Sequence, residues 1–295
     1  MNPEVFFSIA TKVSLKENYS MTIDLINTVV DFFKNVTEQK FMICYVDSKA
    51  FRKNNFTDKN FDKLIERLKN NQVFSFISIE KRLTTDEYFG IGMMPEPEPE
   101  FGCFLSFEHP KFKEMGDFCD TIKMCFPTSF LEKVENQNKI IGLMKNIQEI
   151  MNGLCSFITI GNFRDDYSMD CAVFDNHFYH TSTEFSIHWD DYVRGYFWGQ
   201  CLTANQVLKL GGLSVIRNQD FFLCEKWDDK VYIQSTEKIL DYTMDDAMKM
   251  REFLKPLFPP ESERRKNSYP HKEDFVAIKA NGIYFYADED MFLGE

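Results

Sequence analysis

Apolar and polar positions follow two different periods over the first third of the chain. Val5–Thr11 is a run of apolar and small residues that reads as a strand. From Thr22 to Lys34 the spacing changes, and Ile23, Ile26, Val30 and Phe33 fall on one helical face. Phe41–Val46 is again a short apolar strand. Phe61, Leu64, Ile65 and Leu68 repeat at helical spacing, and Val73–Ile79 returns to strand. A β-α-β-α-β order of this kind belongs to an α/β or α+β layer.

Pro95-Glu96-Pro97-Glu98-Pro99-Glu100 then interrupts the pattern. Alternating proline and glutamate favours an extended, solvated segment, since proline blocks helix and the carboxylates repel one another. Beyond it, Phe101–Phe107, Thr121–Phe126 and Leu154–Ile160 read as strands. Between the last two, Ile140, Met144, Ile147 and Met151 mark a helix that stops near Gly153.

Thr203-Ala-Asn-Gln206 fits a capping box, and the short helix it opens ends at Gly211-Gly212. Thr243 and Asp246 open another helix, which runs to Leu254 ahead of Pro256. Val231–Gln234 reads as a strand, and Phe275–Lys279 and Ile283–Tyr286 flank Asn281-Gly282, a hairpin signal. The expected fold is therefore α/β (α+β), with mixed sheets and packed helices. It divides into an N-terminal lobe over 1–94, a Pro-Glu linker over 95–100 and a C-terminal lobe over 101–295.

Length and composition narrow the class. A chain of 295 residues, 44% hydrophobic and 27% charged, has the make-up of a globular protein with a sizeable core. Its 34 basic and 46 acidic residues leave a formal charge of −12, which argues against a surface built to grip nucleic acid. No apolar run reaches the length of a membrane span, and no basic-then-apolar leader opens the chain, so a cytoplasmic protein is expected. The eight cysteines include no C-x-x-C pair, and those in apolar runs, such as Cys44 and Cys155, are expected to be buried and reduced.

Candidate chemistry is sparse. Asp175, His177, His180, Glu184 and His188 form the best metal-ligating cluster, since a helix over 181–189 would align His180, Glu184 and His188. In a strand, however, His177 and His180 would point to opposite faces, and the spacing is not H-E-x-x-H. No metal or other cofactor is expected. There is no G-x-S-x-G elbow, and Gly90-Ile91-Gly92 lacks the rest of a nucleotide-binding fingerprint. Adjacent acids such as Asp165-Asp166, Asp190-Asp191 and Asp245-Asp246 suit solvated turns. Arg264-Arg265-Lys266 is opposed by Glu261, Glu263, Glu273 and Asp274. Lysines and arginines interspersed among the acids also speak against a DNA mimic. The chain is expected not to be an enzyme.

The most distinctive segment is Trp189-Asp-Asp-Tyr192-Val-Arg194-Gly-Tyr196-Phe197-Trp198-Gly199-Gln200. It collects the residue types that carry hot spots in protein interfaces, so Trp189, Tyr192, Arg194, Tyr196 and Trp198 are candidate interface or interface-supporting residues. Packing of the same rings into a core is the competing expectation. Phe126-Pro127-Thr128-Ser129-Phe130-Leu131, and Tyr196-Phe197-Trp198-Gly199 leading to Leu210-Gly211-Gly212, resemble blocks of a type VI secretion immunity-protein family. In that family a strand like Val231–Gln234 follows, and then an L-x-P like Leu254-Lys255-Pro256. The likeness spans residues 120–260 and implies a protein that neutralises a secreted toxin.

In length, in its Phe-, Asn- and Lys-rich character and in its uninterrupted run, the whole chain also resembles the phage-encoded Gabija anti-defence proteins. That resemblance implies a non-enzymatic homo-oligomer in the cytoplasm of the infected bacterial host. It would bind the bacterial Gabija nuclease and helicase subunits and block DNA binding and cleavage, touching no nucleic acid or membrane itself. A metal-dependent hydrolase using His177, His180 and His188 is the alternative from another class.

Overall fold

The computed structural model describes residues 4–36, 41–47, 51–70, 72–81, 101–106, 120–161, 190–193 and 195–258. The fold is mixed α+β and divides into two compact units, one over residues 6–153 and the other over 1–5 and 154–295. The expected elements at 275–286, the loop at 261–267 and the Pro-Glu segment at 95–100 lie outside the described residues.

The first unit takes up strand β1 (Glu4–Thr11) from Phe6 onward and continues with helix α1 (Tyr19–Val36). Strands β2 (Met42–Asp47) and β3 (Phe51–Asn55) lead to helix α2 (Asp58–Lys69). Strands β4 (Val73–Lys81), β5 (Phe101–Ser106) and β6 (Asp120–Pro127) precede helix α3 (Val134–Met151). Hydrogen bonding sets the strand order β3-β2-β4-β5-β6-β1, and each pair from β3 to β6 is antiparallel. β4 and β5 flank the Pro-Glu segment and pair with each other, so both sides of it belong to one sheet. The division between units falls instead between Gly153 and Leu154.

Cross-strand register explains which residues form the core. One row aligns Ile43, Ile79, Cys103 and Met124, and the next aligns Tyr45, Ile77, Leu105 and Ile122. All eight are buried, because a period of two puts every member of a row on the same face. Burial also pushes the Cys103 thiol well above its ordinary value, as expected for a small core residue.

Helices cover that face. α1 buries Leu25, Ile26, Val29, Val30 and Phe33, and its Phe32 ring meets Phe126 of β6 at 6.0 Å. Phe33 stacks on Phe41 at 4.8 Å, and Arg67 of α2 lies over the Tyr45 ring. α3 buries Ile140, Met144, Ile147 and Met151, the stripe read from sequence. It ends where Asn152 turns left-handed (φ 45°), with the Gly153 N–H donating to the Gln148 carbonyl at 3.0 Å.

The second unit contains β7 (Cys155–Gly161), β8 (Gly199–Leu202), β9 (Leu223–Trp227) and β10 (Lys230–Gln234) in the order β7-β8-β10-β9. Each neighbouring pair is antiparallel. Among the described residues it also holds helices α4 (Ala204–Lys209), α5 (Leu213–Arg217) and α6 (Met244–Leu254). Every residue of β8 and β10 is buried, so both faces of this strand pair are covered. β9 is half-exposed.

Leu105 sits in the middle of the buried rows of the first unit, and Leu105→Ala removes methyl groups that the neighbouring strands cannot replace. We expect the substitution to cost about 2–5 kcal/mol. It should appear as a lower denaturant midpoint with an unchanged slope.

Candidate functional site

The aromatic block and the two capping motifs meet in the second unit. α4 opens with the capping box read from sequence. The Gln206 N–H donates to Thr203 Oγ1 at 3.2 Å, and the Thr203 N–H donates to Gln206 Oε1 at 3.0 Å. The amide end of Gln206, itself buried, donates to the Tyr192 carbonyl at 2.8 Å. Thr203 Oγ1 donates to the Asp190 carbonyl at 3.1 Å, and Asn205 and Lys209 both reach Asp191 Oδ1, at 2.8 and 2.7 Å. Residues 190–193 are thus strapped along α4 by two partly buried hydrogen bonds, from Thr203 and Gln206, and by exposed ones to Asp191. The Lys209 pair with Asp191 is solvent-exposed and adds little by itself.

α4 ends as the glycine pair requires. Gly211 and Gly212 both have positive φ, 92° and 94°, and the Gly212 N–H donates to the Val207 carbonyl at 2.8 Å. α6 also has the expected box. The Asp246 N–H donates to Thr243 Oγ1 at 3.3 Å, and the Thr243 N–H donates to Asp246 Oδ2 at 3.0 Å.

The candidate interface residues separate into three groups. Tyr196 and Trp198 are fully buried. The Tyr196 carbonyl accepts from Tyr242 Oη at 3.3 Å, and Trp198 Nε1 donates to Thr236 Oγ1 at 2.9 Å and to its carbonyl at 3.1 Å. The interface expectation is corrected for these two. Their rings are buried and act as core, and the Trp198 ring suits that position because its Nε1 is satisfied inside. Tyr192 is half-buried, with Lys209 Nζ 5.1 Å from its ring centroid. Trp189 and Arg194 lie outside the described residues, as do Asp175, His177, His180, Glu184 and His188.

Phe197 stacks on Phe157 with centroids 3.8 Å apart, and beside the stack lies a shallow crevice lined by Cys155, Phe157, Val193, Gln200 and Gln206. It offers about 10 Å³, room for roughly one water. A crevice of this size suits neither an organic substrate nor a cofactor.

The opposite face of the same strands is more constrained. Tyr232 is fully buried and stacks on Trp227 at 4.2 Å, and its hydroxyl donates to Gln234 Oε1 at 3.3 Å. Gln234 Nε2 in turn donates to the Thr236 and Glu237 carbonyls at 2.9 and 3.2 Å. A side chain at Gly199 would place its Cβ 2.5 Å from the Tyr232 hydroxyl oxygen and 2.9 Å from Ile158 Cγ2. Glycine there lets the tyrosine cross the strand. Burial, then the nearby Cys201 and Glu225, pushes the Tyr232 hydroxyl well above its ordinary 10.

Sequence reasoning passed over the large apolar side chains left outside. Leu208 of α4 is 73% exposed and Phe222, ahead of β9, is 53% exposed. Val207 and Leu208 are adjacent on α4 and face directions about 100° apart, and Val207 is half-buried while Leu208 points outward. The sequence carries no mark of which one does.

No known protein family matches the chain, and no curated protein does. Among solved structures the chain is similar to a Pseudomonas aeruginosa T6SS protein, PA0821. The match has a TM-score of 0.60 and 9% identity over 87% of this chain and 76% of that one. At that identity the likeness shows a shared fold.

Two outcomes follow from the Tyr232 packing. Gly199→Ala should cost about 1–3 kcal/mol through overpacking. Adding Tyr232→Phe should recover part of that loss, whereas independent sites would give the simple sum of the two single changes. The raised Tyr232 value also sets a pH dependence. The unfolded chain releases this proton near 10 and the folded chain does not. The associated stability is therefore intact below pH 10 and is lost as pH rises above it. In an alkaline titration followed by tyrosinate absorbance, one class of tyrosine should ionise only as the protein unfolds.

Proposed function

We propose that this protein acts by binding and obstructing another protein, and that its target is the bacterial Gabija nuclease–helicase complex. One observation carries the first part. Most of the block at 196–212 is committed to packing, capping and strapping, while Leu208 within it and Phe222 ahead of β9 are left on the surface. Exposed aliphatic and aromatic anchors suit a binding surface better than a reaction centre. The second part rests on the whole-chain resemblance to phage-encoded Gabija anti-defence proteins.

In this mechanism the protein works in the infected bacterium as a homo-oligomer that occludes the complex sterically. Several linked contacts raise avidity without any single strong one. No bond is made or broken, so no cofactor enters. A net charge of −12 disfavours competition for the DNA itself and favours exclusion of DNA by bulk. Among the described residues, no helix is long and apolar enough to cross a membrane.

Neutralisation of a secreted toxin is the second reading, favoured by the structural likeness to a T6SS protein. Co-expression with an intact Gabija complex, followed by affinity purification, sizing and a DNA-cleavage assay, separates the two. The proposal expects a stable large assembly in which cleavage is lost. Protein that stays free while cleavage continues would overturn it and move the toxin reading ahead.

A further inference from the structure

The formal charge is divided unequally between the two units. Residues 6–153 hold 19 basic and 21 acidic residues, a formal charge of −2. The second unit holds 15 and 25, which puts −10 of the chain's −12 there. This division follows from which residues belong to each unit and from nothing finer.

Burial sharpens it. Among the described residues from 190 to 258, no Asp or Glu is buried, but two cations are. Lys230 Nζ turns to Asp229 at 2.6 Å. The Arg251 guanidinium lies 5.4 Å from the centre of the Phe258 ring and bonds Glu252 at 3.1 Å. A cation withdrawn from water meets no partner, so at contact range this surface is more acidic than the sum of its charges.

Large apolar side chains emerge through the same surface. Leu208 of α4, Val215 of α5, Phe222 and Leu240 are exposed in this unit, whereas the described residues of the first unit expose one, Tyr19. Exposed carboxylates adjoin them in sequence. Asp220 stands two residues before Phe222, and Asp241 follows Leu240.

We propose that the second unit is the half that meets the target, and that it takes a basic protein surface, with Leu208 and Phe222 as its apolar anchors. The inference rests on the binding reading above and adds the chemistry of the partner. Opposite charge speeds encounter and aligns the two surfaces, and the apolar anchors hold them together. A nuclease offers such a surface where phosphates would lie. A second copy suits it poorly, since two units of −10 repel each other.

Two blocked peptides, one alternating lysine with leucine and one alternating glutamate with leucine, test this on the full chain by fluorescence anisotropy. The lysine peptide should bind, more weakly as salt rises, and the glutamate peptide should not. Asp220→Lys, Asp241→Lys and Asp245→Lys together should weaken binding several-fold. Asp24→Lys, Asp62→Lys and Glu132→Lys, at exposed positions of the first unit, change the net charge equally and should leave binding almost unchanged. Leu208→Ser with Phe222→Ser should also weaken it several-fold. Equal loss in the two charge variants would overturn the proposal, and so would equal binding of both peptides. A larger species of the free protein that Leu208→Ser with Phe222→Ser disperses would also overturn it, by giving the surface to a second copy. If a charge variant fails to fold by circular dichroism, the matching Asp→Asn and Glu→Gln sets decide. Repeating the two charge variants against the Gabija complex separates the claims. No binding by the unaltered protein sinks the Gabija reading alone, while binding that both variants retain equally sinks this one alone.

Discussion

In the second unit a tyrosine ring lies across a glycine, and the surrounding chain is arranged to permit it. The Tyr232 hydroxyl stands where a Gly199 side chain would be, and it can do so only because Gly199 has none. Both residues belong to strands that are buried along their whole length. A strand pair covered on two faces has no solvent to satisfy its polar side chains, so each needs a partner inside. Gln234 bonds Tyr232 and two carbonyls, Gln206 bonds Thr203 and Tyr192, and Gln200 Oε1 accepts from the Phe197 N–H at 3.2 Å. The capping box, the strap at 190–193 and the Phe157–Phe197 stack stand with Gln200 and Gln206 on the other face of the same strands.

The first unit solves a simpler problem. One face of its sheet is covered by helices, and two mostly apolar rows in register fill the space between them. Its polar ties are peripheral to those rows. Thr11 Oγ1 donates to the Met151 carbonyl at 2.7 Å, and the Leu15 N–H donates to Asp120 Oδ2 at 2.6 Å, each closing a chain end or loop onto the body. Specificity in this unit comes from register, whereas in the second it comes from particular hydrogen bonds.

This difference governs what was legible beforehand. Helical stripes such as Ile140, Met144, Ile147 and Met151 were readable because a 3.6-residue period is local. Apolar strands were readable for a similar reason. β3, with Phe51-Arg-Lys-Asn-Asn55, and β9, with Leu223-Cys-Glu-Lys-Trp227, were not, because strands at the end of a sheet keep polar side chains in water. The unit boundary was misplaced because a Pro-Glu repeat looks like a linker whether or not the strands on either side pair. The boundary itself carries only a left-handed Asn152 and Gly153. Composition could not separate core from interface for Tyr196 and Trp198, since both uses call for the same rings. Cross-strand burial decided it.

β8 and β10, buried along their whole length, contrast with half-exposed β9 beside them. Amide hydrogen exchange of the free protein tests this contrast most directly. Amides of Gly199–Leu202 and Lys230–Gln234 should exchange only with global unfolding, while outward-facing amides of Leu223–Trp227 should exchange far faster. Equal, rapid exchange across all three strands would contradict the account.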